Sequence, residues 1–298
     1  MELKNVITFL RAAELQNFTR VAEELGYAPS TITVQIQQLE SDLGFQLFDR
    51  IRGRVFLTDL GQQFIPFAYE MATISKKVML LGKEPMQIKG SLRIGILESL
   101  FTYILLPLLP QYIAEFPNVT IEFKTSSTTI LFDMLRRNEV DIIFTLDKKI
   151  MEKDCVSVYS NPETLVFVTS PNHPIAGSHD VQLKTILEQQ LILTERVGLY
   201  RRTLEDLAAT QKLLVKPHME VDNTDVIISL LKQGLGVSFL PKYTVRSDVS
   251  KGTLAIIDAD VQPMRFWIQL FYHKNKWVSP QMKGLISLIC RSLDLNDR

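Results

Sequence analysis

FTRVAEELG over residues 18–26 and YAPSTITVQIQQLESDLG over residues 27–44 predict two short amphipathic helices joined by a tight turn. In the second stretch, apolar side chains recur at helical spacing from Ile32 to Leu43, so they should form one stripe that faces a core. The first stretch stops at Gly26, where a positive backbone dihedral angle costs little. Helix, turn and helix are typical of a DNA-binding helix-turn-helix, although helical hairpins that bind no nucleic acid are also common.

The side of the second helix away from the apolar stripe carries short polar side chains. Hydroxyl and amide groups at the start of a helix can hydrogen-bond the edges of bases in the major groove, and a valine can contact a thymine methyl. We therefore predict that this surface contacts DNA. The residues assigned to these contacts are Ser30, Thr31, Thr33, Val34 and Gln37, together with Thr19 of the first helix.

A basic hairpin is predicted directly after the second helix, where residues 45–61 read FQLFDRIRGRVFLTDLG. Two short strands, around Phe48 and over residues 55–57, would enclose a turn at Gly53. Arginines on such a hairpin can contact DNA phosphates, and those predicted to do so are Arg50, Arg52 and Arg54. A solvated charged turn is the alternative, because residues 1–58 contain six Lys or Arg against seven Asp or Glu.

A heptad repeat follows the hairpin. Its apolar residues are spaced alternately four and three apart, and an average repeat of about 3.5 residues favours winding against another helix. The seam predicted to form a dimer interface consists of Leu60, Phe64, Phe67, Met71, Ile74, Val78 and Leu81. The helix should run from Thr58, a suitable N-cap, to Leu81 and should kink near Pro66. The alternative is a helix that packs only on its own globular domain.

Residues 9–50, FLRAAELQNFTRVAEELGYAPSTITVQIQQLESDLGFQLFDR, are followed by RVFLTDLG at residues 54–61. In their order, their spacing and the hairpin, these stretches resemble the LysR-type transcriptional regulators over about the first 85 residues. Family members usually carry Ser-Gln where this chain has Ala28 and Pro29, so the usual base-contacting glutamine is missing. Proline suits the first position of a helix, whereas Ala28 forgoes an N-cap hydrogen bond that is typically worth about 1 kcal/mol.

The resemblance implies a multi-domain α+β protein with a winged helix-turn-helix, a long linker helix and a C-terminal α/β effector domain shaped like periplasmic solute-binding proteins. The expected domains are residues 1–58 for DNA binding, 59–87 for the dimerisation helix and hinge, and 88–298 for effector binding. The effector domain should divide into subdomain I, residues 88–162 and 267–298, and subdomain II, residues 163–266. The chain would cross between them near Pro162 and Trp267, and these crossings would act as a hinge.

Beyond GKEPMQIKG at residues 82–90, the pattern changes to short apolar runs separated by helical stretches. LRIGIL, VTIEFK and DIIFTL are runs of this kind near the start, and FWIQLFYH is one near the end. Strands that alternate with helices predict a largely parallel sheet, and the length of this region is enough for two small sheets.

Polar residues follow several of these runs. In open α/β sheets, ligands bind at the carboxyl ends of strands, where helix N-termini offer unpaired amides and a positive dipole end. Hydroxyls, amides and one or two arginines suit a small carboxylate better than a sugar phosphate or a cation. By the resemblance, the cleft between the subdomains would be lined by Ser99, Thr102, Thr128, Thr145, Tyr200, Arg201 and Asn223. The alternative for each Ser, Thr and Asn is a helix cap without a role in binding.

Composition agrees with a multi-domain globular protein. The chain has 298 residues, of which 46% are hydrophobic, and a formal net charge of zero. No stretch is long and apolar enough to span a bilayer, and residues 1–14 lack the features of a secretory signal, so we expect a cytoplasmic protein. Cys155 and Cys290 are interpreted as buried thiols, with a redox-sensing pair as the alternative.

An enzyme on the same α/β scaffold is the main competing class. Gly234 and Gly236 make only half of a dinucleotide fingerprint, and neither a phosphate-binding loop nor a G-x-S-x-G elbow occurs in the sequence. The four histidines are scattered, so we predict no metal and no cofactor. An extracytoplasmic solute-binding protein would fit the last two thirds of the chain but not its N-terminal part.

The predicted function is therefore sequence-specific DNA binding under the control of a small carboxylate effector. We predict no enzymatic activity. A dimer would present two recognition helices together, so the expected target is double-stranded DNA with an interrupted inverted repeat. Self-association to a dimer or tetramer is expected, as is contact with RNA polymerase if the protein is an activator.

Overall fold

The computed structural model describes residues 1–51, 54–79, 84–196, 198–262 and 264–296. Arg52, Gly53 and Leu81, which carry sequence predictions, lie outside the described residues, as do the side chains of Arg50 and Arg54. Within the described residues, no helix combines the length and the apolarity needed to cross a bilayer.

The N-terminal domain begins with three helices. They are α1 (Leu3–Leu15), α2 (Phe18–Leu25) and α3 (Pro29–Leu43). Asn17 caps α2 by accepting hydrogen bonds from the backbone nitrogens of Thr19 and Arg20, and Gly26 ends the helix with a φ of 69°. The side chain of Ala28 makes no cap for α3, as the sequence predicts.

A two-stranded wing and a long helix complete this domain. Its elements are β1 (Phe48–Ile51), which is antiparallel to β2 (Arg54–Leu57), and α4 (Asp59–Met79). The Thr58 hydroxyl accepts a hydrogen bond from the Gly61 nitrogen at 2.9 Å, which makes Thr58 the predicted N-cap. A Cβ atom on Gly61 would lie 2.2 Å from the Leu47 carbonyl oxygen, so only glycine fits where the wing meets α4. The helix continues through Pro66.

One apolar core joins all parts of the N-terminal domain. The ring of Phe9 lies 5.5 Å from that of Phe48 and 5.1 Å from that of Phe64, measured between centroids. Ile32 and Ile36, which belong to the predicted stripe of α3, are fully buried. Burial of side chains of this size stabilises the fold by about 1.5–3 kcal/mol each. The stripe therefore determines which side of α3 faces outward.

The C-terminal domain contains the strands in the order that the sequence predicts. They are β3 (Gly90–Ile96), β4 (Val119–Thr125), β5 (Ile142–Asp147), β6 (Cys155–Thr169), β7 (Ile192–Leu193), β8 (Met219–Glu220), β9 (Val237–Pro241), β10 (Ala255–Ile256) and β11 (Arg265–His273). The helices are α5 (Glu98–Leu100), α6 (Leu109–Glu115), α7 (Thr128–Arg136), α8 (Leu183–Leu187), α9 (Leu199–Thr210), α10 (Thr224–Lys232), α11 (Lys242–Ser250) and α12 (Pro280–Asn296). β5 is buried from Ile142 to Leu146, which explains its nearly unbroken apolar sequence.

The sheet is mixed, so the prediction of a largely parallel sheet is wrong. Seven strands are joined in the order β10-β6-β11-β5-β3-β4, with β9 also on β6, while β7 and β8 form a separate parallel pair. β3 is parallel to β4 and β5, but β11 lies antiparallel between β5 and β6. After β10 the chain returns to the first strands of the sheet, and β11 inserts there antiparallel to β5. The alternation of strands and helices in the sequence does not predict this direction.

β6 takes part in both portions of the sheet. As far as Thr164 it pairs with β11, and from Leu165 to Thr169 it pairs with β9. Pro162 and Trp267, near which the family resemblance implies the crossings, are register partners on β6 and β11. The two strands thus run side by side at these residues.

Cys155 and Cys290 are both free and half-buried. Burial raises the pKa of both thiols, so little thiolate forms at neutral pH. The two cysteines accordingly have the character of structural side chains.

Candidate DNA-reading face and effector cavity

The outer side of α3 presents the side chains that the sequence assigns to base contact. These residues, the reading face, are Ser30 and Gln37, which are exposed, Val34, which is 61% exposed, and Thr31 and Thr33, which are half-buried. On the inner side the buried Gln35 accepts a hydrogen bond of 2.6 Å from the Thr8 hydroxyl of α1. Because α1 holds α3 through this bond and through the core, the reading face is presented on a rigid element.

The start of α3 offers a positive pole beside the reading face. The helix has neither a side-chain cap at Ala28 nor an acidic residue in its first turn. Its positive dipole end is therefore not neutralised locally and favours an approaching anion. Thr19, at the start of α2, is exposed as well. On the wing, Arg50 of β1 pairs with Val55 of β2 in the backbone register.

The structure divides the predicted heptad seam on α4 into members that pack on the chain's own core and members that stay exposed. Phe64 is only 6% exposed and packs in the N-terminal core, and the half-buried Met71 packs against that core. The members that stay exposed in the chain, which we call the apolar ridge, are Leu60, Phe67, Ile74 and Val78. A ridge of this kind leaves large apolar side chains in water unless a partner covers it.

A cavity of about 500 Å³ lies in the C-terminal domain, at the carboxyl ends of β3, β4 and β5. It is formed by separate segments that contribute residues 97–99, 125–129, 146–147, 194–195, 198–200, 202, 222 and 224. The first residues of α7 and α9 are among them, so both helices point their N-termini at the cavity. This cavity, which we call the effector cavity after the role predicted for it, therefore has the location that strand and helix geometry favours for ligands.

Three of the predicted effector residues line the cavity, namely Ser99, Thr128 and Tyr200. The Ser99 hydroxyl lies 2.9 Å from the Tyr200 hydroxyl and 2.8 Å from that of Tyr243. Burial raises the pKa of Tyr200 to about 12, so its phenol stays protonated and remains a hydrogen-bond donor. Thr128 is buried and lies in the lining of the cavity.

The other four predicted effector residues are not among the described residues that line the cavity. Thr145 is fully buried and its hydroxyl donates to the Gln269 carbonyl oxygen at 3.4 Å. Arg201 is buried, and its Nε donates to Glu205 at 2.7 Å.

Asn223 caps α10, because its side chain accepts a hydrogen bond of 2.9 Å from the Val226 nitrogen. Thr102 is half-buried in the helical segment that follows Ser99. These two residues, like Thr145 and Arg201, are fixed within the elements that surround the cavity.

Sequence reasoning misses the charged side chains of the cavity. Glu98, Asp147, Glu195 and Asp222 line it, as does the exposed Arg202. They lie at the ends of strands, just after strands or in the first turns of helices, so the rule that selects Ser99 also selects their positions. The expectation of an anionic ligand does not select carboxylates. Burial, together with the negative charges of Asp225, Asp222 and Glu195, raises the pKa of Glu98.

The lining offers polar and charged groups that can bind a ligand. Neither histidine nor cysteine is among the described residues that line the cavity. In the described part of the chain, no group of three His, Cys, Asp or Glu residues is placed to hold a metal ion. What the cavity offers a ligand is hydroxyls, helix N-termini and carboxylates.

Comparisons with known families agree with this architecture. Residues 3–62 match the family described as "Bacterial regulatory helix-turn-helix protein, lysR family", and residues 86–293 match "LysR substrate binding domain". A relative from Bacillus subtilis (strain 168), named "Uncharacterized HTH-type transcriptional regulator YwqM", is 33% identical over 97% of this chain and 98% of its own length. The "RuBisCO operon transcriptional regulator" of Allochromatium vinosum is 23% identical, with 94% and 92% covered.

Solved structures share the fold. Full-length OxyR from Pseudomonas aeruginosa superposes with a TM-score of 0.65 at 21% identity, covering 97% of this chain and 94% of its own. The regulatory domain of Synechocystis PCC6803 CcmR, in complex with 2-PG, has a TM-score of 0.59 at 20% identity and covers 68% of this chain and 98% of its own. The predicted fold class is confirmed, and the matched families and relatives are transcriptional regulators, not enzymes. The chain belongs to the LysR family of bacterial helix-turn-helix regulators.

Proposed function

We propose that this LysR-type regulator acts in the cytoplasm, binds an interrupted inverted repeat in DNA as a dimer or tetramer, and responds to a small carboxylate in the effector cavity. The reading face and Thr19 would contact bases, while Arg50, Arg52 and Arg54 of the wing would contact phosphates. The rigid, outward presentation of the reading face supports the first assignment, and the chemistry of arginine supports the second. RNA polymerase would be a further partner of an activator.

The apolar ridge is proposed as the interface between two copies of the chain. Its residues lie seven or four apart, so they share one side of α4 and can form a seam with a second copy of the helix. Ile74→Glu should abolish the dimer and the preference for an inverted repeat over a single half-site. Gln62→Glu adds the same charge on another side of α4 and should leave both unchanged. Sedimentation and DNA-binding titrations check this, and a dimeric Ile74→Glu variant would remove the ridge from the interface.

The N-terminus of α7 is the observation that carries the proposed carboxylate. No side chain caps this helix at Ser127, and the buried Thr128 beside it lines the cavity. Unpaired backbone amides, a positive dipole end and free hydroxyls are the groups that bind a carboxylate. Ser99 and Tyr200 would complete the site, while Thr102, Thr145, Arg201 and Asn223 would hold its segments in place.

The two portions of the domain that β6 connects both contribute to the effector cavity. Thr128 and Asp147 come from the portion with β4 and β5, and Glu195 and Tyr200 come from the portion with β7 and α9. A ligand that contacts both portions favours one degree of closure and thereby biases the arrangement of the oligomer on DNA. The subdomain boundaries given above, with β6 and β11 as the hinge, belong to this proposal.

The experiment is a thermal-shift screen of cellular carboxylates with the full-length protein. We expect at least one to raise the midpoint of unfolding and to change DNA binding. Thr128→Val should remove both responses without changing DNA affinity in the absence of ligand. Thr210→Val, at the exposed end of α9, is the matched control. Full ligand affinity in Thr128→Val would exclude this residue from the site.

A further inference from the structure

The fixed charges of the effector cavity are unbalanced. Four carboxylates line it, those of Glu98, Asp147, Glu195 and Asp222, against the single guanidinium of Arg202 among the described lining residues. Arg202 is exposed at the edge of the cavity. A site built only for an anion would not collect an excess of negative charge, because like charges repel the ligand.

Three of these carboxylates form one group, the acidic wall, which consists of Glu98, Glu195 and Asp222. The carboxylate of Glu98 interacts unfavourably with the negative charges of Glu195 and Asp222, and with that of Asp225. None of the three forms an ion pair with a lysine or arginine of the described chain. A hydrogen bond between Glu98 and Thr224 compensates only part of this charge. Asp222 is exposed, but Glu98 and Glu195 are half-buried. Uncompensated carboxylates that are partly buried are costly, and a cation from outside would relieve them.

Thr194 provides a second, independent sign of a missing partner beside the acidic wall. It lines the cavity directly before Glu195 and is only 8% exposed. Its hydroxyl has no hydrogen-bond partner in the described chain. Leaving a buried hydroxyl unpaired costs about 1–3 kcal/mol, so a ligand whose donor or acceptor pairs with it after rotation of the Thr194 side chain would recover that free energy.

The acidic wall favours an organic cation, because it does not have the geometry of a metal site. Among the described residues, no three His, Cys, Asp or Glu side chains are placed to hold a metal ion. An ammonium group carries three donors and can be shared between two carboxylates and a hydroxyl. The N-terminus of α7, on a different segment of the lining, keeps its suitability for an anion.

We propose that the effector is an amino-carboxylate zwitterion, whose ammonium group binds at Glu98, Glu195 and Thr194 and whose carboxylate binds at the start of α7. This inference rests on the proposed role of the cavity as the effector site. It narrows the ligand from small carboxylates in general to those that also carry a protonated amine.

The test uses matched probes with the full-length protein at neutral pH. Each standard L-amino acid is compared with the carboxylic acid that lacks its amine and with the amine that lacks its carboxylate, by thermal shift and then calorimetry. We expect at least one amino acid to bind, and both truncated forms to bind about tenfold more weakly or worse, since each loses charge-assisted hydrogen bonds.

A paired variant separates the charge effect from a folding defect. Glu98→Gln combined with Glu195→Gln should weaken binding of the amino acid about tenfold or more, yet bind its amine-free acid at least as tightly as the native chain does. An unfolded or distorted cavity would lose both ligands. Glu188→Gln, on the exposed end of α8, is the control and should change neither affinity.

The outcomes distinguish this inference from the proposed function. If amine-free acids bind as tightly as the amino acids, the acidic wall does not select a cation and the inference fails, while the carboxylate effector stands. If no amino acid binds but an amine-free carboxylate does, the inference also fails and the carboxylate effector also stands. If neither class binds, both proposals fail. If the amine alone binds as tightly as the amino acid, the carboxylate contact is wrong.

Discussion

The reading face and the effector cavity are assembled in different ways. The reading face lies between Ser30 and Gln37 on a single helix, and the burial of Ile32 and Ile36 determines which side of that helix is outside. The cavity needs segments that are spread from residue 97 to residue 224. Helical periodicity alone specifies the first surface, whereas the second depends on how strands and helices meet in three dimensions. A mutation in one region should therefore leave the other functional.

The largest effect is expected from Phe64→Ala, which tests whether the two regions are independent. Phe64 is 6% exposed and contacts Phe9, so removing its ring should lower the free energy of unfolding of the N-terminal domain by about 3–5 kcal/mol. DNA binding should be lost with it, while ligand binding in the cavity persists. Denaturant unfolding, DNA titration and a ligand thermal shift measure the three responses.

Phe67→Ala is the control for this change, because Phe67 is 59% exposed on the same helix. It should weaken self-association but have little effect on the folding of a single chain. Equal destabilisation by both variants would contradict the division of α4 into an inner and an outer face. Loss of ligand binding in Phe64→Ala would contradict the independence of the two regions.

The sequence predicts the N-terminal domain almost completely, because its signals are local. The stripe that begins at Ile32, the strands around Phe48 and Val55, and the cap at Thr58 all follow from neighbouring residues, and the structure contains each of them. The heptad pattern of α4 is different. It predicts an apolar seam but not which members, such as Phe64, pack on the chain's own domain, because both environments select the same residue types.

In the C-terminal domain, local sequence patterns predict the strands but not how they are arranged. Its strands are predicted by their apolar runs, but the antiparallel insertion of β11 depends on tertiary topology. In the cavity, Ser99 and Thr128 are found from the positions that follow strands, whereas Glu98 and Glu195 are overlooked. A carboxylate after a strand is usually a solvated side chain, and only the three-dimensional convergence of several of them is informative.

Ser99→Ala should alter the cavity and spare the reading face. The Ser99 hydroxyl joins the phenols of the half-buried Tyr200 and Tyr243, so its removal leaves two phenol hydroxyls with fewer partners. We expect the C-terminal domain to lose about 1–3 kcal/mol of unfolding free energy and effector affinity to fall. Ser250→Ala, at the exposed end of α11, is the control. Unchanged effector affinity in Ser99→Ala would exclude this hydroxyl from the site, and altered DNA affinity without ligand would show that the regions are coupled.

The wing and the reading face should differ in how they depend on salt. Arg52→Ala combined with Arg54→Ala should weaken binding to all DNA sequences and lower the slope of log affinity against log salt by about two per chain. Changing Thr33 or Gln37 should chiefly relax base preference, at a cost of about 1–3 kcal/mol for the preferred site. Titrations with specific and random duplexes at several salt concentrations measure both. Equal losses on both duplexes for all these variants would remove the distinction between phosphate and base contacts.

The smallest effect is expected from Ala28→Ser, which changes the reading helix at one local position. Ala28 makes no side-chain cap, so a serine can accept a hydrogen bond from the first turn of α3 and should raise the unfolding free energy of the N-terminal domain by about 1 kcal/mol. Ala28→Gly separates capping from backbone freedom, since glycine is tolerated at this position without offering an oxygen. Denaturant unfolding of both variants distinguishes the causes. If the serine variant is no more stable than the glycine variant, the backbone N–H groups in the first turn of α3 already have hydrogen-bond partners. The positive end of the helix dipole beside the reading face would then be weaker than the missing side-chain cap indicates.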